Sequence, residues 1–151
     1  MIQRKQTLFL LTAVILCIVC LCLPIGRFEA PGMGGGATEY SLWIALDEGG
    51  RKFSSWPLFA VMVPSAALGF LTIFFYHNRK TQAGLCAFNI LLLLGWYIIY
   101  AVFGGLLLGG EMKFSPKVTA LLPALSLILY FMAYKAIWAD ERLVRAADRI
   151  R

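Results

Sequence analysis

Charged residues are missing from four long stretches of this chain. No Asp, Glu, Lys or Arg occurs in residues 6–26, 53–78, 81–110 or 118–134. An ionised residue at the centre of a spanning helix costs about 2.5–3.5 kcal/mol on insertion scales, so stretches of this kind are typical of bilayer segments. Charged residues make up 15% of the 151 residues, against roughly 25% in soluble domains. The composition therefore favours a single-domain membrane protein over a globular enzyme.

Histidine and loop cysteine are scarce as well. His77 is the sole histidine, and a metal site needs several ligands of suitable type, so we expect no metal and no cofactor. The four cysteines all fall within apolar stretches, whereas a secreted disulfide framework would place them in loops. Cys20 and Cys22 are two residues apart and point away from each other on a helix. A thiol redox function is therefore the weakest of the functional hypotheses.

The apolar stretches predict an all-α fold, a four-helix transmembrane bundle. The expected spans are residues 7–24, 56–77, 85–108 and 118–138, each long enough for a hydrocarbon core of about 30 Å. The basic start and first apolar run also resemble a signal peptide, but the run is long and no small-x-small cleavage site follows closely. An uncleaved first span is favoured.

Two segments lie outside the predicted spans. Residues 25–55 form a polar outer loop, in which we expect either a β-hairpin around residues 47–50 or a short surface helix. Residues 139–151 show helical periodicity, with Leu143, Ala147 and Ile150 on one stripe, and predict an amphipathic basic helix continuing from the fourth span. No Asp, Glu, Lys or Arg lies deep in any span, which disfavours a proton-coupled transporter or an ion channel.

The distribution of basic residues predicts the orientation. Nine Lys and Arg residues flank the ends that share a side with both termini, and five flank the opposite ends. The positive-inside rule therefore places both termini in the cytoplasm and the 25–55 loop outside. The net charge of +6 is spread beside apolar runs, not gathered on one folded face, so we expect no nucleic-acid partner.

Three stretches resemble a family of small, uncharacterised four-span membrane proteins of Bacteroidota-type bacteria. They are residues 1–11, residues 73–82 continued by 85–89, and residues 140–151. The family is a domain of unknown function, so the resemblance implies no activity, substrate or cofactor. It does imply a bacterial inner-membrane protein, and all three stretches fall on the side that charge counting makes cytoplasmic.

These stretches define the candidate functional surface, which we expect to bind lipid headgroups or a cytoplasmic or membrane protein partner. The candidate residues are Arg4, Gln6, Asn78, Arg79, Gln82, Arg145, Asp148 and Arg149. The leading hypothesis is a non-enzymatic accessory or scaffold protein acting through this face. The alternative is a lipid or small-molecule carrier with an aromatic cavity near Trp96 and Tyr130. A homo-oligomer is left open.

Asn89 is the one strongly polar side chain well inside a predicted span. Such residues usually face the bundle and form hydrogen bonds across helices, worth about 0.6 kcal/mol on average. We therefore expect Asn89 to have a structural role.

Overall fold

Four helices form the body of the protein. The computed structural model describes residues 3–29, 35–104 and 113–148. The helices are α1 (Gln3–Cys22), α2 (Trp56–Phe74), α3 (Arg79–Val102) and α4 (Leu122–Asp148). Each helix packs against its neighbours in the chain, and α1 also packs against α4. This arrangement closes the four helices into a bundle, which confirms the mostly helical fold with four helices.

Apolar side chains lie on both the inside and the outside of this bundle. Leu10, Ala13 and Cys17 are spaced three or four residues apart and point into the core from α1, as helical periodicity requires. Large apolar side chains such as Phe88 and Ile98 are exposed on the outside. Three helical segments are long and apolar enough to cross a membrane, whereas the apolar segment Gln6–Cys22 of α1 is shorter.

The helix boundaries differ from the sequence prediction, most clearly at the start of α3 and the end of α4. α3 begins at Arg79 and not at residue 85, because the polar residues before the apolar run also adopt helical structure. α4 runs without interruption to Asp148, so the predicted fourth span and most of the predicted tail helix are one element. Residues 149–151 lie outside the described part of the chain.

A small antiparallel sheet corrects the all-α expectation. Its strands are β1 (Gly26–Glu29), β2 (Ala37–Glu39), β3 (Ile44–Leu46), β4 (Arg51–Lys52) and β5 (Lys113–Pro116). Their order is β4-β3-β2-β1-β5. The expected hairpin is present as the β3–β4 pair, with Gly49 at a φ of 95° in its turn. The surface-helix alternative is wrong. The hairpin prediction accounted for only two of the five strands in the sheet.

The sequence did not reveal the rest of the sheet because its strands have only two to four residues. Such short strands carry little of the period-two signal on which strand prediction depends. β5 comes from the connection between α3 and α4, and it pairs with β1 through contacts such as Gly26 with Pro116. A pairing between segments so far apart in sequence leaves no local pattern.

The sheet covers one end of the bundle, which we call the sheet end. There α1 leads into β1, and the Tyr100 hydroxyl of α3 donates a hydrogen bond to the Ile25 carbonyl at 2.8 Å. Phe28, Ala37 and Ile44 form a second small core beneath the sheet, against which Phe114 packs. At the opposite end, which we call the basic end, α1 begins, α2 turns into α3 and α4 finishes.

Candidate functional site

Trp138 of α4 is flanked by two surface grooves at the basic end, which we call the Trp138 grooves. One is a narrow crevice between α4 and the first turns of α3, too small to admit a water molecule, and it is lined by Arg79, Lys80, Ala83, Ile137, Trp138 and Glu141. The other is lined by Tyr134, Lys135, Trp138, Ala139 and Arg142. An indole ring with basic side chains on both sides can contact an apolar chain and an anionic group together.

The basic side chains near the Trp138 grooves differ in how they are held. The Lys135 ammonium lies 4.7 Å from the centre of the Phe131 ring, a cation–π arrangement along the helix surface. Arg145 donates from Nε to Glu141 Oε1 at 3.1 Å, and both residues are on α4. The Arg145–Glu141 pair neutralises part of the charge of the tail. Its contribution to helix stability is small, because exposed pairs of this spacing stabilise a helix by only about 0.3–0.5 kcal/mol.

Gln6 lies inside the bundle and not on the predicted surface. It is 6% exposed, and its Nε2 donates a hydrogen bond to Asp140 Oδ2 at 2.5 Å. Asp140 is 8% exposed, and the hydrogen bond ties α1 to α4. The partner of Asp140 on α1 could not be identified from the residue spacing within α4.

Gln82 is likewise part of the bundle. It is 4% exposed, and its Nε2 donates to the backbone carbonyl of Thr72 at 3.2 Å. The backbone N–H of Gln82 donates to the Asn78 carbonyl at 2.9 Å. These two bonds fix the tight connection between α2 and α3, so the side chain of Gln82 has a structural role and does not present a free binding group.

The other candidates whose side chains the structure describes do not gather into one site. Asn78 and Arg145 are exposed, and Arg79 is partly buried at a Trp138 groove. Arg4 lies in α1 and Asp148 ends α4, but their side chains fall outside the described part of the structure, and Arg149 lies wholly outside it. Among the described candidates, Arg79 is therefore the one at a groove.

Asn89 belongs to a polar cluster in the middle of the bundle. Its Oδ1 accepts a hydrogen bond of 2.7 Å from Ser65 Oγ of α2, and both residues are fully buried. Ser126 Oγ of α4 lies 3.1 Å from the Ala13 carbonyl of α1. The cluster thus joins α2 to α3 and α1 to α4. Small polar side chains that bond between helices stabilise their packing in an apolar environment.

The aromatic residues proposed to line a cavity are packed into the core. Trp96 and Tyr130 are fully buried, and Trp96 stacks on Tyr100 with ring centres 5.1 Å apart. Cys17, Cys20 and Cys86 are also buried, Cys22 is exposed, and all four are free thiols. Among the described residues, no group of three His, Cys, Asp or Glu side chains could hold a metal ion.

A buried carboxyl that the sequence did not single out lies at the sheet end. Glu39 is fully buried, and its Oε1 accepts a hydrogen bond of 3.1 Å from Ser55 Oγ, just before α2. Burial raises the pKa of the Glu39 carboxyl from 4.5 to about 7, and the Ser55 bond opposes the shift only in part. The signal in the sequence was weak. Ala37, Glu39 and Ser41 occupy alternate positions, as residues on one face of a strand do, and the structure shows that all three are buried.

Comparison with known proteins identifies a family and no named relative. No curated protein matches the chain. A family model described as a domain of unknown function, DUF4293, matches residues 2–150. Because this match covers nearly the whole chain, the chain belongs to the DUF4293 family.

Proposed function

We propose that this protein is an integral protein of a bacterial inner membrane and crosses it four times. The support is the length and composition of α2, α3 and α4, together with large exposed apolar side chains on all four helices, such as Ile15, Phe70, Phe88 and Ile128. Contiguous apolar surface of this extent is characteristic of proteins that contact lipid. With 20 residues, α1 has a length of about 30 Å, which suits a hydrocarbon core of that thickness.

In this proposal the basic end faces the cytoplasm and the sheet end faces outward. The described part of the basic end carries Arg79, Lys80, Lys135, Arg142 and Arg145. Basic residues beside the ends of spans are retained on the cytoplasmic side during insertion. Both chain termini then share the cytoplasm with the short connection between α2 and α3.

Within the membrane, the protein acts as a non-enzymatic accessory or scaffold protein through its basic end. The observation that carries this proposal is the length of α4, which has 27 residues and is therefore about 40 Å long, some 10 Å more than the hydrocarbon core. Its last turns expose Leu143 and Val144, at 61% and 43%. Arg142 and Arg145, on either side of this apolar pair, are exposed as well.

An exposed apolar pair bounded by arginines matches one type of partner. Proteins that bind a helix do so with an apolar groove that receives side chains of one helix face. Acidic residues at the rim of such a groove would complement Arg142 and Arg145 and would speed the encounter. The partner is thus a cytoplasmic or membrane protein with an acidic-rimmed apolar groove that receives the end of α4.

The test replaces the two arginines without altering the apolar pair. The full-length protein, tagged and purified from native membranes, is expected to carry a stoichiometric partner that is lost in the double variant Arg142→Gln, Arg145→Gln. The matched control is Arg51→Gln, Lys52→Gln in the exposed strand β4, which removes the same charge at the sheet end and should retain the partner. Recovery of the same partner by both variants, at equal membrane abundance, or of no partner by the wild type, would refute the proposal.

The packing of the core favours this function over the carrier. A carrier needs space between the helices, and the aromatic residues predicted to line it, Trp96 and Tyr130, are fully buried among other side chains. Lipid remains a ligand of the outer surface, where the Trp138 grooves combine an indole ring with Lys135 and Arg142. Anionic headgroups attract such residues by about 1 kcal/mol each.

A further inference from the structure

The sheet is held on the bundle by a closely fitted aromatic contact. The ring of Phe114 in β5 lies between two glycines, Gly26 of β1 and Gly104, and a Cβ on either glycine would come within 2.6 Å of the ring. The Tyr100 ring meets Phe114 edge-on, with centres 5.6 Å apart. Because both neighbours of the ring lack side chains, the sheet approaches the helices closely at Phe114.

Hydrogen bonds complete this junction between sheet and bundle. Ser41 Oγ donates to the Cys20 carbonyl at the end of α1 at 3.3 Å, and Thr119 Oγ1 donates to the Pro24 carbonyl. Ser55 Oγ donates to Glu39 Oε1, which joins β2 to the start of α2. Of these bonds, the one that involves Glu39 has a partner that can gain or lose a charge.

The environment of Glu39 suits the neutral form of the carboxyl. Its second oxygen, Oε2, is buried and has no hydrogen-bond partner among the described residues, and the Tyr100 hydroxyl is committed to the Ile25 carbonyl. A buried carboxylate normally needs several donors or a counter-charge. If Glu39 were ionised, its two carboxylate oxygens would have one hydrogen-bond donor within the described part of the chain.

Among the described residues, the groups beside Glu39 do not supply a positive charge. Tyr100 of α3 is the titratable side chain that interacts with Glu39, and a tyrosine is ordinarily neutral at pH 7. Lys52 is on the same face of the sheet, two strands away, but its side chain is exposed. The start of α2 contributes Ser55, β1 contributes Gly26 and β5 contributes Phe114, which do not titrate. Arg27, 3.6 Å from Asp47, is on the opposite, exposed face of β1.

We propose that Glu39 is a proton-binding site that keeps the sheet closed on the bundle while it is protonated and lets the sheet loosen when the proton passes to the outer water. Loss of the proton leaves a carboxylate that must be hydrated. Water reaches it only if Phe114 or the strand carrying Glu39 moves away from the helices. All molecules are therefore in the closed state at low pH, and the closed fraction falls as the pH rises.

The pH range follows from the direction of the shift. The pKa of Glu39 is raised by burial to about 7, so a folded protein holds this proton at pH values where an exposed Glu has lost it. The stability that comes from the neutral carboxyl is complete below pH 4.5 and is lost as the pH passes through 7. A rise in external pH across neutrality would thus open the junction.

The test measures the access of a reagent to Cys20, which is fully buried beneath Ser41. In a Cys22→Ser background, a polar maleimide is added to the purified full-length protein at pH values from 5.5 to 8.5, and labelling of Cys20 is assigned by peptide mass. The rate in the Glu39 protein, divided by that in Glu39→Gln, should rise about tenfold between pH 6 and 8, as the ionised fraction does. The division removes the pH dependence of the thiol itself.

Two further variants make the result decisive. Glu29→Gln removes an exposed carboxyl of β1 and should keep the full pH response. Ser55→Ala removes the donor that bonds to Glu39 Oε1 and should move the response to higher pH, whereas a purely structural loss would increase labelling at every pH. Equal pH dependence in the Glu39 and Glu39→Gln proteins would overturn the proposal. So would a response in Ser55→Ala at the wild-type pH or below.

Discussion

Single residues decide how closely the helices approach one another. Gly69 of α2 is buried, and a Cβ there would overlap the hydroxyl of Tyr130 and lie 2.8 Å from Cγ2 of Val14. The glycine therefore makes room for the largest side chain of α4 in the core. Elsewhere, as at Gly95 of α3, a Cβ would meet nothing within 4 Å, so glycine there is not required by packing.

This difference gives a prediction for stability. Gly69→Ala should lower the free energy of unfolding by about 1–3 kcal/mol, because forcing extra atoms into a packed core displaces its neighbours. Gly95→Ala is the matched control and should leave stability unchanged or slightly raise it. Adding Tyr130→Phe to Gly69→Ala should recover part of the loss, since it removes the overlapping hydroxyl. Thermal unfolding in detergent measures all three, and equal midpoints for Gly69→Ala and Gly95→Ala would contradict the packing argument.

At the scale of an element, α4 combines three environments along one helix. Ser126 and Tyr130 face the buried core, Trp138 lies between the two grooves of the basic end, and Leu143 is exposed beyond them. Asp140 interrupts this order, because it is an acidic residue that is nearly buried, and its carboxyl accepts a hydrogen bond from Gln6 of α1. Helix α4 is therefore joined to α1 by a buried hydrogen bond at the point where its exposed tail begins.

The Trp138 grooves give a prediction for lipid binding. Lys135→Gln with Arg142→Gln should weaken retention of an anionic phospholipid by roughly 2 kcal/mol, or about thirtyfold, if each cation contributes about 1 kcal/mol. Native mass spectrometry with added phosphatidylglycerol measures the loss, and phosphatidylcholine serves as the uncharged comparison. The variant Arg51→Gln, Lys52→Gln should bind as the wild type does. Equal weakening in both variants, or none in either, would show that the grooves do not select the headgroup.

For the whole molecule, the proposed topology places the sheet and the end of α4 on opposite sides of the membrane. Single cysteines at two exposed positions, Glu48→Cys and Leu143→Cys, test this in a Cys22→Ser background. A membrane-impermeant maleimide should label position 48 in intact cells with an opened outer membrane, and position 143 only after the inner membrane is permeabilised. Labelling of both positions in intact cells would remove the proposed cytoplasmic surface.

Part of the candidate surface could be predicted from the sequence and part could not. Exposure of Asn78 and Arg145 followed from their polar surroundings at the ends of apolar runs. Gln6 and Gln82 stood in similar surroundings, yet both are buried. The difference is that each meets a partner: Gln6 reaches Asp140, which is 134 residues away, and Gln82 reaches a backbone carbonyl of α2. No pattern local to either glutamine contains this information.

The sheet end gives the same lesson for a buried acidic residue. An acid within a polar loop is expected to be exposed, and Glu39 is not, because β5 arrives from between α3 and α4 and its Phe114 closes the junction over β1. The carboxyl lies beside Gly26 of β1, Ser55 before α2 and Tyr100 of α3. Its burial, and hence the raised pKa, is a property of the assembled fold.

The sequence alone determined the number and approximate extent of the helices, because a long run of apolar residues and the absence of charge within it are properties of consecutive residues. Tertiary structure decided the five-stranded sheet, the Gln6–Asp140 pair and the enclosure of Glu39. Each of these requires segments distant in the chain to meet, and hydrogen bonds or packing between such segments leave no periodic trace in either one.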